Sequence, residues 1–158
     1  MDLSIVISLY NEEESLRELV NWITKAISSS HLRDKEYEIV MVNDGSTDGS
    51  WKEIETLAKE DNHIRAISFR RNYGKSAALY EGFKAAQGEV VVTMDADLQD
   101  PPALLKEMYE AITKEGYDAV GTRRTTRKGE PVIRSFFAKL FYKLIDDLRR
   151  SSIGTAGK

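Results

Sequence analysis

The chain of 158 residues contains no cysteine. Disulfides, thiol nucleophiles and cysteine zinc sites are therefore excluded, and the composition is compatible with a reducing compartment. Histidine is scarce as well: His31 and His63 both fall in polar connecting stretches, where they read as surface residues. No apolar run approaches the roughly 18 residues that a membrane-spanning helix requires, and the N-terminus lacks the basic start and apolar core of a secretory signal. The expectation is a soluble, cytoplasmic chain. Excess positive charge is also missing. A formal net charge of −3 argues against a nucleic-acid partner, because recognition of a phosphate backbone normally needs a basic face. What is present, 41% hydrophobic and 31% charged residues, is the composition of one globular domain with an ordinary core.

The most informative stretch runs from Gly88 to Pro102, GEVVVTMDADLQDPP. Val90, Val91, Val92 and Met94 predict a strand buried on both faces, and that strand ends in Asp95, Ala96 and Asp97. Residues two apart in extended chain point to the same side, so both carboxylates can lean over one point beyond the sheet edge. Like charges held that close call for a cation. Hard carboxylate oxygens without His or Cys nearby suit magnesium or manganese, which bind through one or two carboxylates together with substrate phosphates. Asp100 has the place of an N-cap, with Pro101 at the first helical position.

The rest of the chain alternates strands and helices. Leu3 to Leu9, Tyr37 to Val42, Ile64 to Phe69 and Tyr117 to Gly121 predict four further strands. Asn11 with Glu14, and Ser50 with Glu53, have the spacing of capping boxes ahead of amphipathic helices, and an alanine-rich helix runs to about Ala86. This order implies an α/β fold, Rossmann-like, with a mainly parallel sheet and helices on both faces. Asp44, Asp95, Asp97 and the turn Tyr10, Asn11, Glu12 all follow strands, so a parallel sheet places them along one edge. Known phosphate loops are absent. Gly74, Lys75, Ser76 resembles the end of a P-loop, but Phe69 stands where its first glycine belongs.

Four motifs, SLYNEEESL from Ser8, VNDGSTDGS from Val42, RNYGKSAALYEGF from Arg71 and MDADLQDPP from Met94, together resemble family 2 glycosyltransferases of the GT-A fold. Within them the chain is most similar to the polyprenyl-phosphate branch. The resemblance implies that Tyr10, Asn11, Glu12 and Asp44 hold the nucleoside of a nucleotide sugar, with Asp95 near its ribose or diphosphate. UDP is the expected nucleotide and GDP the competitor. It also implies that Asp97 is the principal ligand of Mg or Mn, Gln99 the second, and Arg123 the basic residue that steadies phosphate. Asp95, Asp97 and Arg123 then form the catalytic set, with Asp95 also counted at the metal. Plainer readings stand beside these. Glu12 and Asp48 can merely favour helix N-termini, and Asp44 can merely hold a turn. Lys75 is either a solvated helix-start lysine or a donor contact, and Arg123 with Arg124 either an exposed basic turn or a phosphate clamp. The family's first motif commonly has proline where this chain has Ser8 or Leu9.

Residues 1–130 are expected to form the nucleotide-sugar core, and 131–158 an amphipathic helix leading into an acceptor-side region that is cut short. Val132, Ile133, Phe136, Phe137, Leu140, Phe141, Leu144, Ile145 and Leu148 form an apolar stripe over 131–150, flanked by Arg134, Lys139, Lys143, Arg149 and Arg150. Such a helix can lie in a membrane interface, here the inner face of the cell membrane, or pack against further protein or a second subunit in a homo-oligomer. The implied reaction inverts the anomeric carbon. A lipid phosphate acceptor is already ionised near neutral pH and needs no general base, whereas a glycan or other hydroxyl acceptor would need one. Two alternatives accompany this reading: a family 2 transferase with a hydroxyl acceptor, and a nucleotide-binding module without catalysis. A glycosidase pair is a poor alternative, because Asp95 and Asp97 lean over the same side of one loop and cannot straddle a sugar.

Overall fold

The computed structural model describes residues 1–122, and within them Met1–Val120 form one compact unit. Arg123 and the 131–150 stripe lie outside the described residues. In chain order the elements are β1 (Leu3–Leu9), α1 (Leu16–Ser28), β2 (Tyr37–Asn43), α2 (Ser50–Glu60), β3 (Ile64–Ser68), α3 (Lys75–Ala85), β4 (Val90–Asp95) and α4 (Leu105–Thr113), with short 3-10 turns at His31–Asp34 and Pro102–Leu104. The four strands are parallel, in the order β3-β2-β1-β4. Each connection carries a helix, as parallel pairing requires.

The pleat sorts the apolar side chains into two layers. Ile5 and Ile7 of β1, Ile39 and Met41 of β2, and Val92 and Met94 of β4 point to one face, where Leu16, Leu19 and Ile23 of α1, Ile54 of α2 and Leu105 of α4 cover them. Val6, Val40 and Val42 point to the other face and meet Ala78 of α3. Helix α3 can lie close because it carries Gly82: a Cβ there would stand 2.3 Å from Val6 Cγ1. Full burial of one such aliphatic side chain contributes roughly 1.5–3 kcal/mol, so the five buried residues of α1 (Leu16, Leu19, Val20, Ile23, Ile27) hold it far more firmly than its helix propensity could. Arg17 ties α1 to α2 on the surface, pairing with Glu53 at 2.8 Å and Glu60 at 2.7 Å. No helix among the described residues is long and apolar enough to cross a membrane.

Several local expectations are corrected. β4 is buried on one face only: Val91 is 39% exposed and Thr93 is exposed as well, because α3 spans β1 and β2 and leaves that side of β4 uncovered. β4 also occupies the end of the sheet among the described residues. Residues Tyr117–Gly121 form no strand. The chain leaves α4 through Gly116 at φ +77°, and the Tyr117 N–H returns to the Ala111 carbonyl at 3.2 Å, so the segment turns back on the helix rather than joining a sheet. Neither capping box forms: α1 starts at Leu16 behind Ser15, and α2 starts at Ser50 itself behind Gly49. Asp100 does not cap a helix. The 3-10 turn begins at Pro102, and the Asp100 carboxylate accepts the Asp95 N–H at 3.2 Å, an amide just at the point where the ladder with β1 stops.

Candidate active site

The carboxyl ends of β1, β2 and β4 open into a cleft of about 280 Å³, near the lower limit for small-molecule sites. Tyr10, Glu12, Asp44, Lys75, Asp95 and Asp97 line it, together with Ser8, Asn72, Gly74 and Ala96. Register explains the grouping. Ser8 stands opposite both Val42 and Asp95 in the sheet, and Asp44 lies two residues past Val42, so one face of the strand ends presents Asp44, Ser8 and Asp95 side by side.

Two loops interlock beneath the cleft. Asn11 takes a left-handed conformation at φ 56°, which turns its side chain across to the β2–α2 loop, and there its amide oxygen accepts the Thr47 N–H at 2.8 Å. In return, the Asn11 N–H donates to Ser46 Oγ and the Glu12 N–H to Ser50 Oγ, both at 2.9 Å. Glu13 accepts the Gly49 N–H at 2.9 Å, and Asp48 accepts the Ser50 N–H at 3.0 Å and the Glu13 N–H at 3.3 Å. Desolvation alone would raise the exposed Asp48 carboxyl; hydrogen bonds from Ser50 and Glu13 outweigh it and hold the group below the usual carboxylate range. These exchanges are why the capping boxes fail, since Asn11 and Ser50 spend their side chains on the neighbouring loop.

Asp44 is 3% exposed, and each of its carboxylate oxygens accepts a backbone N–H. Its two oxygens accept the Tyr73 N–H at 2.7 Å and the Gly74 N–H at 2.9 Å, which pins the β3–α3 loop over the cleft. Gly45 makes the approach possible. It sits at φ +70°, and a Cβ there would stand 2.2 Å from the Arg71 carbonyl carbon, so any side chain would push the loop away. From the far end of that loop, Lys75 forms an ion pair with Asp95 across the cleft. Asp97 is exposed and accepts the Gln99 N–H at 3.1 Å, in a loop that also holds Leu98 at φ 60°. A left-handed non-glycine residue costs roughly 1–2 kcal/mol, and it sits between Asp97 and Gln99.

Of the residues expected at the site, six therefore line the cleft. Asn11 and Gln99 do not: the first builds the loop beneath, and the second meets Asp97 through its backbone. Lys75 has a partner that neither sequence reading anticipated. Ser8 was missed as well. Its Oγ is buried without a hydrogen-bond partner among the described residues, and the available signal was its i, i+2 spacing from Tyr10. Among the cleft residues four carboxylates face one lysine, an arrangement that attracts a cation. No three or more His, Cys, Asp or Glu among the described residues are grouped so that they could hold a metal ion together. Asp95 and Asp97 alone still fit magnesium or manganese, which fill the rest of their shell with water and phosphate oxygens.

The family model of glycosyl transferase family 2 matches residues 4–156 of this chain. The chain belongs to glycosyltransferase family 2. Among relatives, this family 2 chain is 43% identical over 153 residues to an undecaprenyl-phosphate 4-deoxy-4-formamido-L-arabinose transferase of Proteus mirabilis, covering 96% of the chain and 44% of that protein. It is 41% identical over 144 residues to the putative glycosyltransferase CsbB of Bacillus subtilis, covering 91% of the chain and 42% of the relative. It thus spans less than half the length of these relatives. Solved structures share the fold. TarS of S. aureus (residues 1–349) in complex with UDP superposes with a TM-score of 0.61 at 23% identity, over 81% of this chain and 40% of that one. The mannosyltransferase PcManGT of Pyrobaculum calidifontis, in complex with GDP-Man and Mn2+, gives 0.60 at 23% identity, over 77% and 35%. The family 2 chain therefore has the GT-A architecture expected of it.

Proposed function

We propose that this chain is the donor-binding part of an inverting glycosyltransferase that moves a sugar from a nucleotide diphosphate to a polyprenyl phosphate. The observation that carries the reading is the convergence of Asp44, Asp95 and Asp97 on one cleft at the carboxyl edge of a parallel sheet. The polyprenyl-phosphate acceptor follows from the name of the Proteus relative. In this reading Tyr10, Glu12 and Asp44 line the nucleoside end of the cleft, with Asn11 supporting them from the loop beneath. Asp95 orients the donor, and Asp95, Asp97 and Gln99 hold Mg2+ or Mn2+. The bound cation supplies Lewis-acid stabilisation of the diphosphate oxygens. Arg123 adds a positive charge to the leaving group, and a membrane surface meets the 131–150 stripe; both belong to segments outside the described residues. An ionised lipid phosphate oxygen attacks the anomeric carbon as the bond to the diphosphate breaks, so the chain needs to position and stabilise rather than to remove a proton.

A thermal-shift panel tests this: UDP, GDP and CDP, each with Mn2+, with Mg2+ and with chelator. Ligand at about a hundred times its dissociation constant adds about 2.7 kcal/mol, a rise of several degrees for a chain of this size. The expected result is a shift with one nucleotide that chelator removes, which also names the base. No shift with any of the three overturns the reading.

A further inference from the structure

We propose that Lys75 is a resident counter-ion that guards the metal site: it holds Asp95 while the cleft is empty, gives it up to a divalent cation, and then turns to the diphosphate of the donor. This rests on the nucleotide-sugar reading above. Three observations carry it. The first is placement. Lys75 opens α3 and Asp95 ends β4, and their ion pair lines the same cleft as Asp97, where the cation is expected. The ammonium and a divalent ion thus compete for one carboxylate.

The second observation is the weakness of the pair. Its side chains are 58% and 48% exposed, and ion pairs that open to water contribute little net stability. A dication that draws on both Asp95 and Asp97 outbids a single ammonium. The third is the misplacement of the lysine within its own helix. Lys75 is the first residue of α3, a helix of 11 residues with no acid in its first turn. A cation there opposes the positive end of the helix dipole. Released from Asp95, the ammonium and the α3 amides both favour an incoming anion, and the loop that carries them is already fixed by the two bonds from Asp44 to Tyr73 and Gly74. The donor diphosphate is the anion that arrives with the cation.

The experiment uses the full chain as wild type, Lys75→Met and Lys75→Arg. Free Mn2+ is titrated and followed by electron paramagnetic resonance without nucleotide. The nucleotide selected by the panel is then titrated calorimetrically at saturating Mn2+. Lys75→Met should bind Mn2+ alone about fivefold more tightly, since its competitor is gone, and should bind the nucleotide about tenfold more weakly. Lys75→Arg, which keeps the charge, should stay near wild type in the Mn2+ titration. Unchanged or weaker Mn2+ binding by Lys75→Met overturns the proposal, as does unchanged nucleotide binding or a wild type that takes up no Mn2+. A wild type that binds Mn2+ but no nucleotide instead removes the donor reading. Lys75 is exposed and outside the core, so a matching melting curve for each variant excludes misfolding as the cause.

Discussion

The two ends of the sheet are built from similar polar residues and use them in opposite ways. At the amino end, Glu38 is 2% exposed, yet every bond it needs is made. Its carboxylate accepts Ser4 Oγ at 2.6 Å, Arg65 Nη1 at 2.6 Å and the Gln87 N–H at 2.7 Å. Ser4 Oγ accepts the Gly88 N–H at 2.8 Å, and Arg65 also reaches the Ala85 carbonyl at 2.8 Å, so β1, β2 and β3 are stapled near their starts to the segment that leads into β4. At the carboxyl end, Asp95 and Asp97 are only partly buried or exposed, Ser8 Oγ has no described partner, and two non-glycine residues, Asn11 and Leu98, take left-handed backbone. A closed network holds strands together. An open one has bonding capacity left for a ligand.

Substitutions should separate the ends in order of effect. Glu38→Ala leaves the Ser4 hydroxyl and the Gln87 amide without their acceptor and should cost about 3 kcal/mol in urea or thermal melts, while the folded fraction keeps its nucleotide affinity. A loss of affinity at unchanged stability would erase the contrast. Asp97→Ala should do the reverse, leaving melts within about 0.5 kcal/mol of wild type and lowering metal-dependent nucleotide affinity roughly a hundredfold in calorimetry. Acid sharpens the difference further. Burial alone would raise the Glu38 carboxyl, but the bonds from Ser4, Arg65 and Gln87 prevail and hold it below the usual carboxylate range. The stability from this group is therefore present above the unfolded value of about 4.3 and is lost as pH falls through the lower folded value. Melts between pH 3 and 7 should show a shallower acid limb for Glu38→Gln than for wild type. The smallest effect belongs to Ser8→Ala. With no bond to lose among the described residues, it should change stability by no more than about 0.5 kcal/mol in the same melts.

The architecture was legible because each βα unit writes its own period: an apolar run, a polar exit and a helical stripe such as Leu16, Leu19, Val20, Ile23. The acids at the strand exits were legible for the same reason, since a parallel sheet aligns its carboxyl ends. What escaped depends on partners distant in sequence. The run from Val90 to Met94 reads the same whether one face or two is covered, and only the placement of α3 over β1 and β2 decides it. The caps were misread because Asn11 and Ser50 bond across 36 and 38 residues rather than along their own helices. The Lys75 pair spans 20 residues, and Glu38 meets Ser4 and Gln87 across 34 and 49 residues.

The interlocked turns also set an order of events. Neither the turn after β1 nor the turn after β2 can take its shape alone, because each supplies the other's hydrogen-bond partners. A refolding chain must dock both units before the cleft exists, because the bonds that shape the two turns join residues 35 to 38 positions apart, and such non-local pairing forms later than the local turns of a helix. Ligand recognition should therefore appear last in a stopped-flow trace, after the helical signal has saturated. The site serves as the chain's own report that folding has finished.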